Sequence, residues 1–543
     1  MNKMELKLNK LQNFSGRKGP LLLIIMDGIG IGEEYSGNAV YMAKTPNLDR
    51  LMASPLYCQL QAHGIAVGLP SDKDMGNSEV GHNTLGAGRI FDQGASLVSK
   101  AIGSGKMFVS KAWSKMVKRA KEGWTVHFIG LLSDGNVHSH INHLYKMINK
   151  CAEEGLLRVR IHVLLDGRDV GEKTALDYLT PLEKKLQSIS DELGADYCIA
   201  SGGGRMNVTM DRYNADWNIV KRGWDAHVHG KARGFSSAVK AVKTYYDEDH
   251  KITDQYIDPF VVIDSNNRPV GTIGDGDTVI FFNFRGDRSV QISRAFLEKD
   301  FHEFKRGPLP DILYLGMMEY DGDTHIPPEF LVIPPSIDHT LSEYLCAEKV
   351  TSFAISETQK FGHVTYFWNG NRSGYIDKNL EKYIEIPSDR IQFDKAPMMK
   401  AHEIMEQSIE LLKSGKYRFG RLNFANGDMV GHTGVLEATV TAVETVDQCL
   451  GELLKVVRKL EGIAIVTADH GNADKMFMIK NGQREVKTAH TLNPVPFAIY
   501  DPSYKSEYIM AKLEKKGLSN VAATILNLLG FEKAKEYDPS LIT

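Results

Sequence analysis

Cysteine is scarce in this chain of 543 residues. Only five cysteines occur, an odd number, and no two of them form a CxxC pair. Small secreted scaffolds depend on many paired cysteines, and structural zinc sites use closely spaced ones. The sequence therefore predicts neither a disulfide framework nor a thiolate metal site, and we expect a reducing compartment.

An excess of charge of either sign is also absent. Lysine and arginine together number 65 and aspartate and glutamate number 68, which gives a formal net charge of −3. This balance provides no overall field that would attract nucleic acid or an anionic membrane. We therefore expect small-molecule partners, no nucleic acid and no membrane, and any anion-binding site must be local.

Long apolar runs are missing near the beginning of the chain. The run LLLIIM at residues 21–26 is far shorter than the ~20 apolar residues that a membrane-spanning helix needs. The preceding MNKMELKLNKLQNFSGRKGP is charged throughout and has neither the apolar core nor the cleavage site of a secretory signal. We expect a cytoplasmic protein.

What the sequence does contain is a series of short apolar runs that end in polar, glycine-containing loops. They are LLLIIMDG, VHFIGLLSDG, RIHVLLDGRD, YCIASGGGR, TVIFFNFRGDR, RLNFANGD and GIAIVTADHGN. Helical patterns lie between them, and this alternation is typical of an α/β protein with a parallel sheet. In such sheets ligand-binding side chains gather at the carboxyl ends of the strands.

The residues at these strand ends are of two kinds, which indicates two domains. Runs near the two ends of the chain finish in Asp and His, whereas runs in the middle finish in Arg and Asp. If the acids and histidines form one site, the beginning and end of the chain fold together. We predict a discontinuous domain of residues 1–92 and 336–543 and an inserted domain of residues 93–335. DQGAS (92–96) is the expected exit, and the proline-rich IPPEFLVIPPS (326–336) is the expected semi-rigid return.

The polar stretch DMGNSEVGHNT at residues 74–84 has almost nothing apolar to bury. Taken alone, Ser78 is most simply an N-cap serine in a surface loop, because a serine nucleophile needs partners that this stretch does not supply. The glycines at 76 and 81 allow tight turns or a close approach of backbone to a ligand. The choice between cap and nucleophile therefore depends on other parts of the chain.

Two later motifs supply residue types that bind metal ions. TADHGN places Asp469 and His470 directly after an apolar run, and NGDMVGHTG places Asp428 and His432 four residues apart. That spacing is about one helical turn, so both side chains can reach one ion.

Each of the metal-binding candidates has a simpler explanation when it is taken alone. Asp27 is then a turn former, His490 a surface histidine and Asp428 a helix cap. Their joint occurrence at strand ends favours a metal site. Carboxylates and imidazoles without thiolate suit Mn²⁺ or Zn²⁺, and the share of carboxylates favours Mn²⁺.

The middle of the chain carries arginines whose guanidinium groups suit phosphate or carboxylate oxygens. They are Arg168, Arg205, Arg212, Arg285 and Arg288. Solvated surface charge is the simpler explanation for Arg212 alone, whereas the two arginines of FNFRGDR follow a strongly apolar run. HSHINH (138–143) is either a second metal site or, as we prefer, the source of a substrate-binding or proton-transfer residue in His138. DGIGIG (27–32) lacks the spacing of a dinucleotide site.

The chain resembles the cofactor-independent, that is 2,3-bisphosphoglycerate-independent, phosphoglycerate mutases from about residue 20 to its end. The resemblance rests on long motifs in matching order: DMGNSEVGHNTLGAGR, LLSDGNVHSH, LDGRD, FNFRGDR, SETQKFGHVTYFWNG, NGDMVGHTG and TADHGN. This family belongs to the alkaline-phosphatase-like metalloenzymes, in which an inserted phosphotransferase domain splits a phosphatase domain. The resemblance implies this α/β fold for the two domains predicted above, and DGIGIG and WNGNRSG resemble a longer-chain branch.

The resemblance also implies roles for individual residues. Ser78 matches the serine that is transiently phosphorylated. One implied metal site consists of Asp27, Ser78, Asp469 and His470. The other consists of Asp428, His432 and His490. The implied substrate-binding groups are His138, Arg168, Asp169, Arg205, Arg212, Arg285, Arg288 and Lys360. SGGGRMNVTMDR is one residue longer between its arginines than the commoner bacterial pattern, so the placement of Arg205 and Arg212 stays open.

The implied reaction interconverts 3-phosphoglycerate and 2-phosphoglycerate. The substrate passes its phosphoryl group to Ser78, the glycerate reorients without leaving, and its 2-hydroxyl takes the group back, so no bisphosphoglycerate is required. Two divalent ions per chain are expected, with Mn²⁺ preferred and Mg²⁺ or Co²⁺ as alternatives, and the chain is expected to be a monomer.

Other functions share the same metal residues. An alkaline-phosphatase-like hydrolase or a phosphopentomutase fits them equally well, and the insert is what favours the mutase. A non-enzymatic phosphoglycerate-binding protein would keep the same pockets and would differ only in lacking turnover.

Overall fold

The computed structural model describes residues 6–211, 215–321, 324–334, 337–480 and 483–543. The chain divides into two units, Met1–Gln93 with Ser336–Thr543, and Gly94–Pro335. Each unit has its own sheet and its own hydrophobic core. No helix in the described ranges is both long and apolar enough to cross a bilayer.

The strands are numbered along the chain. They are β1 (Leu21–Met26), β2 (Tyr57–Leu60), β3 (Val126–Leu132), β4 (Arg158–Leu165), β5 (Asp196–Gly204), β6 (Arg233–Phe235), β7 (Phe260–Val262), β8 (Thr278–Phe281), β9 (Leu313–Gly316), β10 (Ser352–Glu357), β11 (Glu381–Ile386), β12 (Phe419–Phe424), β13 (Ile463–Thr467), β14 (Phe477–Lys480), β15 (Gln483–Val486) and β16 (Val495–Tyr500).

The α-helices are numbered in the same way. They are α1 (Ala39–Met42), α2 (Pro46–Met52), α3 (Ser78–Ala87), α4 (Gly94–Gly103), α5 (Lys111–Lys121), α6 (Ile141–Glu153), α7 (Ala175–Leu193), α8 (Trp217–His227), α9 (Ala238–Glu248), α10 (Val290–Leu297), α11 (Leu341–Ala347), α12 (Thr358–Gly362), α13 (Ala401–Lys413), α14 (Asn426–Gly431), α15 (Leu436–Lys459) and α16 (Asn520–Leu528). Short 3₁₀ helices lie at Gly64–Val67, Lys106–Val109, Asp254–Tyr256 and Phe393–Lys395, and a π-helix at His363–Phe367.

The sheet of the first unit has the strand order β11-β10-β12-β1-β13-β16-β2. The five strands β11, β10, β12, β1 and β13 are parallel to one another. Strand β16 is antiparallel to both of its neighbours, β13 and β2. Every residue of the central strand β1 is buried. A parallel strand covered on both faces must be apolar along its whole length, which explains the run LLLIIM.

The sheet of the second unit has the strand order β6-β7-β5-β4-β3-β8-β9. Its strands β5, β4, β3, β8 and β9 run parallel, and β7 is antiparallel to β5. Large side chains such as Trp113, Trp224 and Phe128 fill its core. The carboxyl ends of five adjacent parallel strands therefore lie along one edge of this sheet.

The predicted α/β class is confirmed, because all seven apolar runs named above contain strands, namely β1, β3, β4, β5, β8, β12 and β13. The proline-rich stretch at 326–336 is not a linker over its whole length. Leu331 and Val332 pack in the core of the second unit, because burying their apolar side chains is favourable.

Candidate functional site

Three buried carboxylates follow three neighbouring strands of the first unit. Asp27 comes directly after β1, Asp469 follows β13, and Asp428 lies in α14, which follows β12. Because β1 is parallel to both β12 and β13 and lies between them, the carboxyl ends of all three strands meet. None of the three residues is more than 3% exposed, so their charges must be compensated within the protein.

Ser78 is the first residue of α3 and is almost fully buried. The cap of this helix is Asn77, whose side chain accepts a hydrogen bond from the backbone N–H of Val80 at 3.1 Å. The interpretation of Ser78 as an N-cap in a surface loop is therefore wrong, since its neighbour provides the cap. A Cβ at Gly81 would lie 2.8 Å from the Cβ of Asp469, so only glycine lets α3 approach that carboxylate so closely.

The hydroxyl of Ser78 has the partners that a nucleophile requires. Its Oγ lies 2.9 Å from Nε2 of His470 and 3.2 Å from Oδ1 of Asp27. Nζ of Lys360 donates to the same oxygen. A serine hydroxyl gains nucleophilic character beside a base or a cation, and both kinds of group are present here.

A second group of side chains surrounds Asp428. Nε2 of His432 lies 3.0 Å from Oδ1 of Asp428, and Nε2 of His490 lies 3.1 Å from the same oxygen. The two Nε2 atoms are 3.0 Å apart. The spacing of four residues between Asp428 and His432 therefore brings both side chains to one point, as the sequence predicts.

The two histidines are held so that their Nε2 atoms face this point. Nδ1 of His432 lies 2.6 Å from the carbonyl oxygen of Thr488, and Nδ1 of His490 lies 2.7 Å from that of Gly76. A carbonyl oxygen can only accept, so each Nδ1 carries a proton, and Nε2 is the nitrogen that the neutral ring offers to an ion. Two imidazole nitrogens and a carboxylate oxygen that converge in this way suit a divalent cation.

Two sets of three residues each bring their possible ligand atoms within 4.8 Å of one another. One set is Asp428, His470 and His490, and the other is Asp27, His82 and Asp469. His470 belongs to the first set but also reaches the second, since its Nε2 lies 3.9 Å from Oδ1 of Asp428 and 3.4 Å from Oδ1 of Asp27. Carboxylates and imidazoles without thiolate are ligands that Mn²⁺ and related divalent ions accept, so the residues present fit such an ion.

Lys360 connects the two sets. Its Nζ lies 2.8 Å from Oδ1 of Asp27 and 2.7 Å from Oδ2 of Asp428. Burial alone would lower the pKa of this ammonium, but the carboxylates of Asp27, Asp428 and Asp469 outweigh burial and raise it. Lys360 therefore remains a cation, although its side chain is only 2% exposed.

The field at this edge of the sheet favours positive charge. Burial raises the pKa of Asp428, yet Lys360 and His432 hold it well below its usual range. Burial lowers the pKa of His470, but Asp469 and then Asp27 and Asp428 reverse the effect and raise it to about 9. A divalent cation satisfies the same field as these protons do.

The second unit has a different group of charged residues at the ends of its parallel strands. His138 follows β3, Asp169 follows β4, Arg205 follows β5, and Arg285 and Arg288 follow β8. All five side chains are buried. Because these strands are adjacent and parallel, the residues lie along one edge of the sheet, as predicted for a ligand site.

Two carboxylates hold Arg205. Its Nη1 donates to Oδ1 of Asp166 at 2.6 Å and to Oδ2 of Asp169. Burial and the neighbouring Asp169 raise the pKa of Asp166, and Arg205 opposes this effect. Asp166 accepts a further hydrogen bond from Oγ of Ser133 at 2.6 Å. Arg205 is thus fixed by a rigid network.

His138 and Arg285 share a further carboxylate. Oδ1 of Asp287 lies 3.5 Å from Nδ1 of His138 and 3.2 Å from Nε of Arg285. Nη1 of Arg288 donates to the carbonyl oxygen of Met210 at 2.6 Å. Hydrogen bonds of this kind fix the direction of a guanidinium group before any ligand binds.

Comparison with known proteins adds independent evidence. The family model described as Metalloenzyme superfamily matches residues 19–533. The chain is 54% identical to the probable 2,3-bisphosphoglycerate-independent phosphoglycerate mutase of Leptospira interrogans, over 99% of each chain. It is 50% identical to the enzyme of that name from Trypanosoma brucei brucei, over 96% of this chain and 97% of the other. The chain belongs to the 2,3-bisphosphoglycerate-independent phosphoglycerate mutase family.

A solved structure agrees with this membership. The phosphoglycerate mutase of Leishmania mexicana, crystallised at low cobalt concentration, matches with a TM-score of 0.96 and 50% identity over 99% of each chain. The resemblance stated from the sequence is confirmed, and with it the metalloenzyme class of the fold.

His82 and Asn423 were not predicted from the sequence, and both make hydrogen bonds beside Ser78. Nδ1 of His82 lies 2.8 Å from the carbonyl oxygen of Ser78 and 3.3 Å from Oδ2 of Asp469. Nδ2 of Asn423 lies 3.2 Å from Nε2 of His82 and donates to Oδ2 of Asp27 at 2.7 Å. The spacing of four residues between Ser78 and His82 on a helix is the signal that would have found the histidine.

In the insert of this mutase, the HSHINH motif does not act as one group. Nδ1 of His140 accepts from the backbone N–H of Asn142 at the start of α6. Nε2 of His143 lies 2.9 Å from Oγ of Ser99, and burial lowers its pKa to about 4. Within the described residues, none of the clusters suited to a metal includes these histidines, and the separate role of His138 stays a prediction.

Arg168 and Arg212 complete the arginines that the sequence predicts for substrate binding in this mutase. Arg212 lies outside the described residues. Arg168 is buried in the turn after β4, where its backbone N–H donates to Oδ1 of Asp166 at 3.2 Å. Asp166 and Asp287 were not chosen from the sequence, although both lie inside motifs that were.

Proposed function

We propose that this chain interconverts 3-phosphoglycerate and 2-phosphoglycerate without bisphosphoglycerate, and that Ser78 carries the phosphoryl group between the two positions. The observation that carries this proposal is the environment of the Ser78 hydroxyl. It lies at the start of α3, where backbone N–H groups favour anions, and it contacts His470, Asp27 and Lys360. This arrangement supports a nucleophile that receives a phosphoryl group.

Each unit has its own part in the proposal. Residues 1–92 and 336–543 form the metal-binding phosphatase domain, and residues 93–335 form the phosphotransferase domain that binds substrate. The carboxylates and imidazoles of the first unit and the buried arginines of the second support this division.

Two divalent ions are proposed for the first unit, with Mn²⁺ preferred over Mg²⁺ or Co²⁺ because it accepts a mixture of three carboxylates and three imidazoles. One ion would be held by Asp27, Ser78, Asp469 and His470. The other would be held by Asp428, His432 and His490. When bound, such ions lower the pKa of a hydroxyl and neutralise charge on a phosphoryl group.

The reaction consists of two transfers that leave the composition of the substrate unchanged. In the first, a bond forms between Oγ of Ser78 and phosphorus, the bond from phosphorus to the 3-oxygen breaks, and the serine proton passes to that oxygen. In the second, the 2-hydroxyl attacks phosphorus, Oγ of Ser78 leaves, and the serine regains a proton. Lys360 donates to Oγ and stabilises the negative charge that develops there in both transfers.

The buried arginines of the second unit are proposed to hold the substrate anion. Arg285 and Arg288 are assigned to phosphoryl oxygens, because both follow a buried strand and guanidinium groups suit tetrahedral anions. Arg168, Arg205 and Arg212 are assigned to the remaining anionic groups. His138, Asp169 and Lys360 complete the proposed set.

The cellular compartment and the oligomeric state are also part of the proposal. A cytoplasmic location is proposed because the five cysteines are few and scattered along the sequence. We further propose a monomer whose partners are the two phosphoglycerates.

The experiment that tests the function is ³¹P NMR of the purified protein with 3-phosphoglycerate and Mn²⁺ and without bisphosphoglycerate. Growth of a 2-phosphoglycerate resonance supports the mutase. Net release of inorganic phosphate would instead identify a phosphatase, and an unchanged spectrum with bound substrate would identify a binding protein.

A further inference from the structure

A chain of buried polar side chains crosses the interior of the second unit, and the proposed reaction uses none of its members. Its six residues, in the order of their contacts, are Asp277, His127, His162, Ser201, His227 and Thr209. All are at most 8% exposed. A buried polar group destabilises the fold unless it has a hydrogen-bond partner. Whether these six side chains stabilise the unit therefore depends on whether each has both the donor and the acceptor that it needs.

The first half of the chain starts at a carboxylate. Nε2 of His127 lies 3.2 Å from Oδ2 of Asp277, and its Nδ1 lies 2.9 Å from Nε2 of His162. Nδ1 of His162 lies 2.6 Å from Oγ of Ser201. Since the carboxylate accepts from His127, Nδ1 of His127 must accept from His162, and Nδ1 of His162 must accept from the serine hydroxyl.

The second half continues in the same direction. Oγ of Ser201 lies 2.7 Å from Nδ1 of His227, and Nε2 of His227 lies 3.0 Å from Oγ1 of Thr209. The hydroxyl of Ser201 donates to Nδ1 of His162, so its oxygen accepts from Nδ1 of His227. Nε2 of His227 then accepts from the hydroxyl of Thr209, and every member is satisfied in one consistent arrangement.

The histidines are neutral in this arrangement. Burial lowers the pKa of His127 and lowers that of His162 well below its usual range, and it lowers the pKa of His227 to about 3. Each ring therefore carries a single proton, whose position is assigned from its partners. A chain with fixed donors and acceptors holds its last member, Thr209, in one position.

Thr209 needs such support because its backbone is in the left-handed region, with φ at +69°. Side chains branched at Cβ rarely adopt this conformation, and it persists only where surrounding contacts impose it. Helix α8 passes so close that a Cβ at Gly223 would lie 2.0 Å from Oγ1 of Thr209. The hydroxyl is thus enclosed by the helix and by His227.

The conformation of Thr209 sets the direction of the next two residues, of which Met210 contacts Arg288 and Asp211 contacts helix α10. The carbonyl oxygen of Met210 accepts from Nη1 of Arg288 at 2.6 Å. Oδ2 of Asp211 accepts from Nε2 of Gln291 at 2.8 Å. A change of φ at Thr209 would turn the Met210 carbonyl away from Arg288.

We propose that the hydrogen-bonded chain from Asp277 to Thr209 is a positioning device, which holds Thr209 in its left-handed conformation so that the Met210 carbonyl orients Arg288 toward the substrate anion. Its members are positioning residues, since none of them is assigned to substrate. The inference rests on the proposed function in one respect, namely that the anion is phosphoglycerate.

The test compares variants that differ by one hydroxyl. Thr209→Val keeps the shape of the side chain but removes the donor to His227, and Thr209→Ser restores that donor. Ser201→Ala breaks the chain in its middle and serves the same purpose if Thr209→Val does not fold. Tyr197→Phe is the matched control. Tyr197 lies in β5, as Ser201 does, but its buried hydroxyl donates to the carbonyl oxygen of Leu156 at 2.9 Å and takes no part in the hydrogen-bonded series from Asp277 to Thr209.

The measurements are kcat and KM for 3-phosphoglycerate, its binding by calorimetry, and the thermal midpoint of each variant. Thr209→Val and Ser201→Ala should each lower kcat/KM by roughly ten- to a hundredfold and weaken 3-phosphoglycerate binding, as expected when a substrate contact is displaced. Thr209→Ser should recover most of the loss, and Tyr197→Phe should change only the thermal midpoint.

Wild-type kcat/KM and binding in a folded Thr209→Val or Ser201→Ala variant would overturn the inference, as would an equal kinetic loss in Tyr197→Phe. Failure of the wild-type protein itself to turn over or bind 3-phosphoglycerate would refute the proposed function instead. The two failures are therefore distinguished by the wild-type measurement.

Discussion

Nδ1 of His490 lies 2.7 Å from the carbonyl oxygen of Gly76, two residues before Ser78. One imidazole of the candidate metal-binding group around Asp428 is therefore oriented by the loop that carries the proposed nucleophile. Any movement of that loop changes the direction of the Nε2 lone pair and the position of the serine together.

Gly76→Ala should disturb both features at once. A Cβ at this position would lie 1.9 Å from the carbonyl oxygen of Ala62, so the loop must shift. We expect Mn²⁺ affinity, measured by calorimetry, to fall by roughly 10- to 100-fold, as it does when an outer-shell partner of a ligand is lost. Gly103→Ala is the control, because a Cβ there meets nothing within 4 Å. Unchanged affinity in Gly76→Ala would contradict the coupling.

Ser78→Ala should abolish mutase turnover and leave the fold intact, because the hydroxyl supplies a covalent step that no neighbour replaces. Turnover is measured by ³¹P NMR and the fold by circular dichroism. Ser408→Ala removes another buried hydroxyl, bonded at 2.7 Å to the carbonyl oxygen of Ile404 in α13, and should keep full turnover. Phosphate trapped on any residue other than Ser78 would remove the serine from its assigned role.

Arg285→Ala and Arg288→Ala should each lower mutase turnover by roughly 10²-fold or more, in line with the loss of one preorganised charged contact. The remaining reaction should shift toward inorganic phosphate, because a phosphoserine enzyme that holds its glycerate poorly is open to hydrolysis. The ratio of 2-phosphoglycerate to inorganic phosphate at matched metal content measures this shift. Arg233→Ala, which breaks an exposed pair with Glu248, is the control. Reduced turnover with an unchanged ratio would leave these arginines a binding role only.

Activity should depend on a divalent metal and should fall as pH is lowered. Protons compete with metal for Nε2 of His432, His470 and His490, and the raised pKa of His470, about 9, means that competition at this residue begins below about pH 9. Added Mn²⁺ should restore part of the activity on the acid side. Full activity after chelation and dialysis, with no bound metal by mass spectrometry, would disprove the two-site assignment.

The stability of the metal-free protein should show the opposite dependence on pH. The pKa of His470 is raised from 6.5 to about 9 in the folded chain, so its ion pairs stabilise fully below about pH 6.5 and are lost as pH rises through 9. The loss amounts to roughly 3 kcal/mol of unfolding free energy. Thermal unfolding in chelator between pH 6 and 10 measures it. His470→Gln should remove this dependence, and a flat profile in the wild-type chain would contradict the assignment.

The sequence predicts the buried parallel strands well, because a strand covered on both faces needs an unbroken apolar run such as LLLIIM. The strands β2 and β16 at the edge of the first sheet were not predicted. Their pairing joins Tyr57–Leu60 to Val495–Tyr500, and no local pattern reveals a contact between segments so distant in the chain. The same limit applies to β7, a three-residue antiparallel strand.

The site residues also divide into those that a local pattern predicts and those that depend on contacts between distant segments. Asp428 and His432 are four residues apart, so helix geometry alone brings them together, and their contact is predictable. Lys360 entered only through the resemblance, because its partners Asp27 and Asp428 are brought to it by three separate strands. The spacing of four residues puts His82 on the same side of α3 as Ser78, but its contact with Asp469 joins two segments that no sequence pattern links.

The central position of β1 has a consequence for how the protein is made. Both strands that pair with Leu21–Met26 lie beyond residue 418, so this apolar segment leaves the ribosome long before its neighbours exist. The second unit, in contrast, is one continuous stretch of chain and can fold as soon as it emerges, since domains fold as units during synthesis. Translation therefore allows the inserted unit to be completed first, while the apolar strand β1 of the first unit has no strand to pair with until the end of synthesis.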